Sequence, residues 1–382
     1  MPSLYEDLGL RPVLNAMGNR TLLGGSTPSA VVRALMYEAE ESYIDMSELM
    51  DTVGERIAEM LNVEAALVTS GCSAALTVGA AACMTGNDDE KIERLPDTTG
   101  MPNEFIIQRQ LRVRYDRCMT IPGGKLVEVG EIDETRPEHI EAAIGPNTAG
   151  IHFLAPGNRN PGGLPLDEVI RIGHAHDIPI IVDAAGEVFP TKLLSSYVEM
   201  GADLVAYGAK YFGAVNSSGL LTGRKDLVAI ARRNSFIGFE AHDIRSIGRP
   251  MKVDRQEVIA VYAALREWLT MNHEDRFASY GTRVSNLQAA LREIPNISAA
   301  SYPSHGPVDA VLVNIDIEKL GKTVGEFVME LRNGNPSIWV RSPRTRPDDF
   351  PPEETGFLIR MPQLQEGGEY AIVERLKEIF QG

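Results

Sequence analysis

The chain has 382 residues, of which 43% are hydrophobic and 24% are charged, as in an ordinary globular protein. A length above about 250 residues favours one large domain accompanied by a smaller one. Lys and Arg number 37 against 53 Asp and Glu, which gives a formal net charge of −16. Nucleic acids and anionic membranes are disfavoured as partners, because both carry negative charge themselves.

Features of secretion or membrane insertion are absent from the sequence. No apolar run approaches the roughly 18 residues of a spanning helix, and MPSLYEDLGLRPV at the start lacks the regions of a signal peptide. Cys72, Cys83 and Cys118 show no CxxC spacing, which suits a reducing compartment. We therefore predict a cytoplasmic protein, and we predict no metal site.

Helical and strand-like segments alternate along the first two thirds of the chain, a pattern typical of a parallel α/β sheet. Residues 28–61 predict one long helix, followed by the strand AALVTS and the small-residue helix SAALTVGAAACM. The next predicted segments are strands EFIIQ and KLVEVG, helix RPEHIEAAI, strand TAGIHFLA, helix LDEVIRIGHAHD, strand IPIIVDAA, helix LLSSYVEM and strand ADLVAYG.

A long amphipathic helix is predicted from Val253 to Met271, and a shorter mixed set of elements follows it. That set comprises AVLVNIDI, TVGEFVMELRN, SIWVRS, GFLIRM and EYAIVERLKEIF. We predict an N-terminal arm over residues 1–20, a large domain over 21–252 and a small C-terminal α/β domain over 253–382.

Two ionisable residues follow apolar strands of the large domain. Lys210 is the only charged residue between Asp203 and Arg224, and a buried lone ammonium is costly unless it is paired, neutralised or covalently used. Asp183 ends the apolar run of IPIIVD, and the segment up to Lys210 accommodates one helix and one strand. Both residues are therefore expected at the edge of the sheet where ligands bind. A helix cap or a buried hydrogen-bond acceptor is the alternative role for Asp183.

A third signal is the turn in VTSGCSAAL, where a strand ends and a helix begins. Free N–H groups at a helix N-terminus suit a phosphate, although such turns are also common as purely structural elements. Pyridoxal phosphate (PLP) requires a lysine, a carboxylate for its pyridine nitrogen and a phosphate site. We therefore predict PLP as the cofactor and Lys210 and Asp183 as catalytic residues, with room for a flat ring beside Ala185.

Six stretches resemble the fold-type-I PLP-dependent enzymes, in the selenocysteine synthase-like branch with seryl-tRNA(Sec) selenium transferase and D-glucosaminate-6-phosphate ammonia-lyase. They are VLNAMGNRTLLGGS, AALVTSGCSAAL, RLPDTTGMPNEFIIQRQ, KLVEVG, VDAAGE and GAKYFGAVNSSGLLTGRKDLV. The segment LPDTTGMPNE is more similar to the ammonia-lyase side. The resemblance implies a large domain with a mostly parallel seven-stranded sheet and a smaller C-terminal α/β domain.

Site residues are also implied by this resemblance. Lys210 matches the Schiff-base lysine, Asp183 the partner of the pyridine nitrogen, and Ser70, Gly71 and Cys72 the phosphate site; Tyr207 is a further cofactor-binding candidate. The chain departs from its relatives at three places. Tyr207-Gly208-Ala209 replaces Ser-Gly-Gly or Ser-Gly-Asp, Ala214-Val215-Asn216 replaces Gly-Pro-Gln, and Leu111 replaces a histidine. Which residue stacks on the cofactor ring stays open.

The predicted reaction begins with an amino acid whose α-proton the lysine amine removes. A leaving group on the β-carbon is then expelled, and the resemblance favours this elimination, as in an ammonia-lyase. An amino-acid racemase or an aminotransferase is the alternative. A tRNA-dependent selenium transferase is disfavoured by the net charge of −16. A nicotinamide enzyme or a P-loop protein is disfavoured because GxGxxG and GxxxxGK[ST] are missing.

An amino-acid carboxylate is best held by arginine, which binds it through two parallel hydrogen bonds. Arg341 and Arg360 are candidates, and Arg341 resembles a family position; a solvated surface charge is the alternative for each. Further candidates come from QRQLRVRYD, from the N-terminal stretch and from the strand edge, and they are Arg109, Arg112, Tyr115, Asn15, Arg20, Thr21, His152 and Asn158. A lone strand histidine is more often structural.

Long loops predict a homodimer or higher oligomer with shared active sites. The stretches are GNDDEKIERLPDTTGMPN, NSSGLLTG and GFEAHDIRSIGRPM, and a two-fold contact is the commonest way to cover such loops. Arg245 and Arg249 in the last stretch are expected to reach an anion across the two-fold axis.

Overall fold

The computed structural model describes residues 4–156, 161–304, 306–342 and 356–381. The chain divides into two compact units. Thr27–Thr270 forms the larger unit, and Met1–Ser26 joins Met271–Gly382 in the smaller one.

Strands and helices are numbered in chain order. The strands of the described residues are β1 (Val13–Ala16), β2 (Ala65–Thr69), β3 (Glu104–Gln108), β4 (Lys125–Val129), β5 (Thr148–Leu154), β6 (Ile180–Asp183), β7 (Leu204–Gly208), β8 (Gly219–Gly223), β9 (Ile297–Tyr302), β10 (Ala310–Ile315), β11 (Ser337–Val340) and β12 (Gly356–Arg360). The helices are α1 (Leu4–Asp7), α2 (Ala30–Glu40), α3 (Met46–Leu61), α4 (Cys72–Thr85), α5 (Asp89–Arg94), α6 (Arg117–Thr120), α7 (Pro137–Glu141), α8 (Leu166–Ala175), α9 (Leu193–Glu199), α10 (Lys225–Arg233), α11 (Phe236–His242), α12 (Arg255–Thr270), α13 (His273–Leu291), α14 (Ile317–Leu320), α15 (Val324–Asn333) and α16 (Gly368–Gln381). Among these helices, none combines the length and the apolar character that crossing a lipid bilayer requires.

The larger unit is built on a mostly parallel sheet. Within the described residues, seven strands are ordered β2-β8-β7-β6-β5-β3-β4, and β8 alone runs antiparallel to its neighbours. Strand β6 lies between β5 and β7, and the consecutive residues Ile180, Ile181 and Val182 are fully buried, so both of its faces are covered. Continuous apolar runs are typical of such central parallel strands. The predicted seven-stranded α/β fold is confirmed.

Helix α4 packs closely against this sheet because its residues are small. Ala75, Ala80 and Ala81 are completely buried, and a Cβ atom added to Gly79 would lie 3.4 Å from a methyl group of Leu204. The predicted small-residue helix is therefore confirmed. Its N-terminus follows β2 directly and lies at the carboxyl edge of the sheet.

The prediction of one helix over residues 28–61 is wrong, since the segment forms two helices. Helix α2 is capped by the Ser29 hydroxyl, which accepts a hydrogen bond from the Val32 N–H. Helix α3 begins after Asp45, whose carboxylate accepts hydrogen bonds from the N–H groups of Ser47 and Glu48. An aspartate in this position starts a new helix by satisfying its free N–H groups.

The smaller unit contains an antiparallel sheet of the order β12-β10-β9 and a parallel pair of β1 with β11. Its core includes Phe327 and Phe357, whose ring centroids lie 5.8 Å apart. Within the predicted mixed set, the stretches AVLVNIDI, SIWVRS and GFLIRM contain β10, β11 and β12.

The division between the units differs from the predicted boundary at Val253 by one helix. Helix α12 belongs to the larger unit, because Val258, Val261 and Leu265 join that unit's hydrophobic core. The predicted N-terminal arm belongs to the smaller unit, since β1 supplies a strand there.

Candidate active site

Three predicted groups meet at the carboxyl edge of the large sheet. Strand β2 leads into the turn at Ser70 and Gly71, β6 ends at Asp183, and β7 leads into Lys210. The Cys72 sulfur lies 3.5 Å from Asp183 Oδ1, which joins the first two groups directly. The positive charge of Lys210 lowers the pKa of the Cys72 thiol, against larger effects of burial and of Asp183 that raise it. The three groups therefore form one site.

The Asp183 carboxylate is 5% exposed, and its two oxygens have different surroundings. Oδ1 accepts hydrogen bonds from the Ala185 N–H at 3.0 Å and from the Cys72 thiol. No described residue donates a hydrogen bond to Oδ2. One oxygen thus fixes the side chain, and the other fits a cationic ring N–H such as that of a protonated pyridine.

Lys210 lies in the short 3-10 helix Ala209–Phe212 that follows β7. Its Nζ lies 3.5 Å from Asn216 Oδ1 and 5.4 Å from the centre of the Tyr211 ring. Just before it, the Gly208 N–H donates to the Ala185 carbonyl at 2.9 Å. These contacts fix the lysine relative to Asp183, two residues before Ala185.

The turn before α4 has the properties of a phosphate site. Gly71 adopts φ 91°, and a Cβ atom there would meet nothing within 4 Å, so the space beside the turn is open. The N–H groups of Cys72 and Ser73 have no acceptor among the described residues, as expected in the first turn of a helix. A phosphate fits this geometry, because these N–H groups and the helix dipole both favour an anion.

Two neighbours constrain the same turn. A Cβ atom on Gly219 would lie 2.3 Å from the Gly71 carbonyl carbon, so glycine is required at the start of β8. The Ser70 hydroxyl donates to the Met251 carbonyl at 3.1 Å. Ser70 therefore anchors the turn through its side chain. Only its backbone is then available for the predicted contact with the phosphate.

The side chain of Tyr207 packs in the hydrophobic core, contrary to its assignment as a residue that contacts the cofactor. It is fully buried, and its hydroxyl donates to the Leu193 carbonyl at 2.9 Å. Side chains alternate between the two faces of a strand, and this one lies on the face covered by α9. Burial raises the pKa of Tyr207 well above its usual value, so the hydroxyl stays protonated.

Arg112 forms ion pairs with acidic residues, contrary to its assignment as a residue that binds the substrate. Its Nε lies 2.6 Å from Asp116 Oδ2, and its Nη1 lies 2.5 Å from Glu128 Oε2. The hydrogen bond with Asp116 is the main reason why the pKa of Arg112 is raised. Arg109 lies 3.8 Å from the same Glu128.

The neighbouring candidates in QRQLRVRYD also have structural partners. The Tyr115 hydroxyl accepts a hydrogen bond from Arg114 at 2.9 Å. Leu111 is buried in the core of the larger unit, in the short helix Arg109–Leu111 after β3. These contacts do not identify the residue that stacks on the cofactor ring.

The remaining arginine candidates lie in the smaller unit. Arg360 is paired with Asp309, and its side chain approaches Gly18, where a Cβ atom would lie 3.8 Å from Arg360 Cδ. Arg341 is half-buried, and its backbone exchanges hydrogen bonds with Leu358 at 3.0 and 2.7 Å. Both arginines therefore remain candidates for the substrate carboxylate.

The N-terminal candidates form a turn in that same unit. The Asn15 amide donates to the Gly18 carbonyl at 3.1 Å, and its oxygen accepts from the Met17 N–H at 3.0 Å. Asn15 thus shapes this loop. Arg20 precedes the short 3-10 helix Thr21–Leu23.

His152 lies on β5, beside β6, and is 1% exposed; Asn158 lies outside the described residues. Within the described part of the chain, His152 Nδ1 and Asp116 Oδ1 are both buried without a hydrogen-bond partner. Burial lowers the pKa of His152, and the carboxylates of Asp183 and Asp116 oppose this effect. The histidine is therefore neutral near pH 7 and forms part of the surroundings of Asp183.

Sequence reasoning missed two side-chain contacts of Lys210 and one of Cys72. Tyr211 and Asn216 lie one and six residues after the lysine, so their nearness in the chain was the available signal. The contact between Cys72 and Asp183 joins residues far apart in the chain, and nothing in the local pattern indicates it.

This fold, with a lysine, an aspartate and a helix N-terminus at the carboxyl edge of its sheet, defines a fold-type-I PLP-dependent enzyme. A family model described as "Cys/Met metabolism PLP-dependent enzyme" matches residues 46–223. The chain is 34% identical to a 5'-C-glycyluridine monooxygenase-decarboxylase from a Streptomyces species, over 98% of this chain and 92% of that protein. It belongs to the PLP-dependent family of these relatives, and PLP is its cofactor.

Two further relatives match the predicted resemblance. The D-glucosaminate-6-phosphate ammonia lyase of Salmonella typhimurium is 28% identical over 99% of this chain and 98% of that protein. A solved structure of a D-glucosaminate-6-phosphate ammonia-lyase covers 100% of this chain and 98% of its own, with a TM-score of 0.86 and 26% identity. An L-seryl-tRNA(Sec) selenium transferase from Nitratidesulfovibrio vulgaris is 27% identical over 70% of this chain and 59% of that protein. The predicted branch is confirmed.

Proposed function

We propose that PLP is held by Lys210, by Asp183 and by the turn from Ser70 to Ser73. The contact between Cys72 and Asp183 carries this proposal, because it joins the phosphate turn to the carboxylate. The N–H groups of Cys72 and Ser73 bind the phosphate, and Asp183 Oδ2 keeps a proton on the pyridine nitrogen. When bound, PLP supplies a sink for negative charge at the α-carbon of an amino acid.

The proposed reaction is an elimination of the ammonia-lyase type. The Lys210 amine removes the α-proton of the bound amino acid, and a leaving group departs from the β-carbon. Asn216 and Tyr211 orient the amine while it carries the proton. The leaving group departs with a proton, and hydrolysis of the remaining unsaturated amine consumes one water, so the products are the released leaving group, a keto acid and ammonia. The likeness to the ammonia-lyase over the whole chain supports this class of reaction.

Oxidative decarboxylation is the second candidate, supported by the 34% identity to the monooxygenase-decarboxylase. In that reaction the amino acid is oxidised by O2 to an amide one carbon shorter: the carboxyl group leaves as CO2, one oxygen atom enters the amide and the other leaves as water. Removal of the α-proton by Lys210 begins both candidate reactions, and they differ in the bond that breaks next: the bond to the β-leaving group in elimination, and the bond to the carboxyl carbon in oxidative decarboxylation. Racemisation and transamination are further alternatives, since both also begin with α-proton removal.

The candidates are separated by the products and by the need for oxygen. The purified enzyme is incubated with a panel of D- and L-amino acids, under air and under nitrogen, while ammonia, keto acid, CO2 and O2 are measured. Elimination predicts ammonia and keto acid in equal amounts under both gases. Release of CO2 that stops under nitrogen would establish the second candidate instead. Lys210→Ala serves as the matched control for background reaction.

We also propose a homodimer at minimum. The larger unit exposes apolar side chains around α2 and the segment after it, where Tyr43 is 95% exposed and Val31, Tyr37 and Ile44 are more than half exposed. Apolar groups exposed together favour a subunit contact. Arg245 pairs with Glu93 at 2.9 Å and Arg249 pairs with Glu240, so reaching an anion on the partner would require exchange of these surface pairs. Sedimentation at assay concentration tests the dimer, since an active species of 41.8 kDa would contradict it.

A small-molecule substrate in the cytoplasm completes the proposal. The net charge of −16 disfavours tRNA, and the selenium transferase is matched over only 59% of its length. Cys72, Cys83 and Cys118 are all free thiols, as is usual in a reducing compartment.

A further inference from the structure

The side chain of Cys72 has no task in the mechanism above, which uses only its backbone N–H. Its sulfur lies 3.5 Å from Asp183 Oδ1, within reach of a weak S–H···O hydrogen bond. The second donor to this oxygen is the Ala185 N–H at 3.0 Å, in the segment after β6. Two donors from two separate elements thus converge on one carboxylate oxygen.

The Cys72 thiol is a proton donor under ordinary conditions. Burial raises the pKa of this thiol well above its usual value, and the nearby Asp183 carboxylate raises it further. A thiolate beside the carboxylate would add a second buried negative charge, which is strongly unfavourable. The sulfur therefore keeps its proton and directs it at Oδ1.

A donor on Oδ1 has two physical consequences for Asp183. It fixes the plane of the carboxylate, so Oδ2 already points in one direction before the cofactor binds. Binding then costs no side-chain entropy at Asp183. The donor also stabilises the charged form and thereby reduces how strongly the carboxylate attracts a proton. Both consequences act at the position where the pyridine N–H of the cofactor is expected.

We propose that Cys72 is a positioning residue whose thiol orients the Asp183 carboxylate and sets how strongly that carboxylate holds the proton of the pyridine nitrogen. This inference rests on the proposed function, in which Asp183 is the partner of that nitrogen. It assigns two separate tasks to one residue: the N–H serves the phosphate end of the cofactor, and the thiol serves the ring end.

The test compares Cys72→Ala with Cys72→Ser and with Cys83→Ala. Cys83 is a matched control on the same helix, because its electrostatic neighbours are Asp203 and Arg224 at the other edge of the sheet. Each protein is loaded with PLP; the visible absorbance is titrated with pH, and the dissociation constant of PLP is measured. We expect Cys72→Ala to move the pH at the midpoint of the absorbance change by about half a unit. We also expect it to raise the dissociation constant of PLP about three- to tenfold. Cys72→Ser should restore part of both changes, and Cys83→Ala should show neither.

The Asp183→Asn background distinguishes this inference from the proposed function. If Cys72 acts through the carboxylate, Cys72→Ala should cause no further change of midpoint once Asp183 is Asn. An undiminished change in that background, or no change in the wild-type background, would overturn the role of Cys72. An unaltered spectrum in Asp183→Asn itself would instead overturn the proposed function. Should Cys72→Ala fail to fold, Cys72→Val, which is of similar size and has no donor, carries the same comparison, and an unchanged midpoint and PLP affinity there would equally overturn the inference.

Discussion

Two buried aspartates lie at opposite edges of the same sheet, and their surroundings differ in kind. Asp203, just before β7, is 2% exposed. Its Oδ1 accepts from Arg224 at 2.9 Å, and its Oδ2 accepts from the Ile180 N–H at 2.8 Å and lies 3.0 Å from His174 Nε2. Asp183 is buried nearly as well, yet both of its hydrogen bonds come from neutral donors and go to one oxygen.

The comparison separates a structural carboxylate from a functional one. A buried charge is stable when a cation and hydrogen bonds surround it, and Asp203 meets this requirement within the described residues. Asp183 forms no ion pair with a described residue, so the cation that balances it is expected to arrive with a ligand. In the proposed function, a protonated pyridine nitrogen would supply that charge.

Substitution of Lys210 should have the largest effect on activity. Lys210→Ala removes the amine that carries the α-proton, so turnover should fall to the background of free PLP in solution. The fold should persist, because the lysine is half-buried and lies after the strand. Turnover assays and circular dichroism measure both, and retained turnover would refute the assignment of the site.

Asp183→Asn should lower turnover by roughly a hundredfold or more, because a charge-assisted hydrogen bond to the pyridine nitrogen is lost. Stability without cofactor should stay the same or rise, since the substitution removes a buried charge that forms no ion pair with a described residue. Turnover is compared with the urea midpoint of the cofactor-free protein. A large decrease of that urea midpoint would instead show that Asp183 is a structural carboxylate, as Asp203 is.

Asp203→Asn should show the reverse pattern. Breaking its contacts with Arg224, which is half-exposed, should lower the free energy of unfolding by about 2 kcal/mol. Turnover per folded molecule should stay near normal, since the residue lies at the other edge of the sheet. Urea unfolding together with turnover at low temperature checks this, and a selective loss of turnover would contradict it.

The smallest expected effect is a pH dependence contributed by His152. Burial lowers the pKa of this histidine in the folded protein, so the unfolded chain binds its proton at a higher pH, near 6.5. The contribution to stability is therefore present above that value and decreases as the pH falls below it. The charges of Asp183, Asp116 and Arg112 act on the pKa of this ring: the two carboxylates reduce the effect of burial, and Arg112 adds to it.

His152→Gln removes this titration while keeping a polar side chain. The loss of stability between pH 7.5 and pH 5.5 should be smaller in the variant than in the wild type when both are unfolded in urea. His174→Gln is the control, because that histidine lies beside Asp203 and is half-exposed. Equal pH dependence of wild type and His152→Gln would show that His152 contributes nothing.

The sequence predicted the parts of the site that depend on chain order. Parallel strands place their carboxyl ends at one edge, so residues that follow β2, β6 and β7 had to converge. This reasoning found Lys210, Asp183 and the turn at Gly71. The apolar runs also predicted most strands of the larger unit, because their burial pattern is local.

The sequence did not predict features that depend on partners distant in the chain. Arg112 was indistinguishable from a substrate arginine until Asp116 and Glu128 were found beside it. The face on which Tyr207 lies depends on the alternation within β7, and one residue of register reverses it. The break between α2 and α3 depends on the local cap at Asp45, whose signal the apolar periodicity on both sides obscured.

The close packing of α4 has a consequence for how the cofactor enters. Its alanines and Gly79 leave no room for the helix to slide against the sheet, so the phosphate turn is preorganised before any ligand arrives. Little free energy is then spent on reorganising this part of the protein during binding. Capture of PLP at the turn should consequently be fast and controlled by diffusion, with the slower step being bond formation at the lysine.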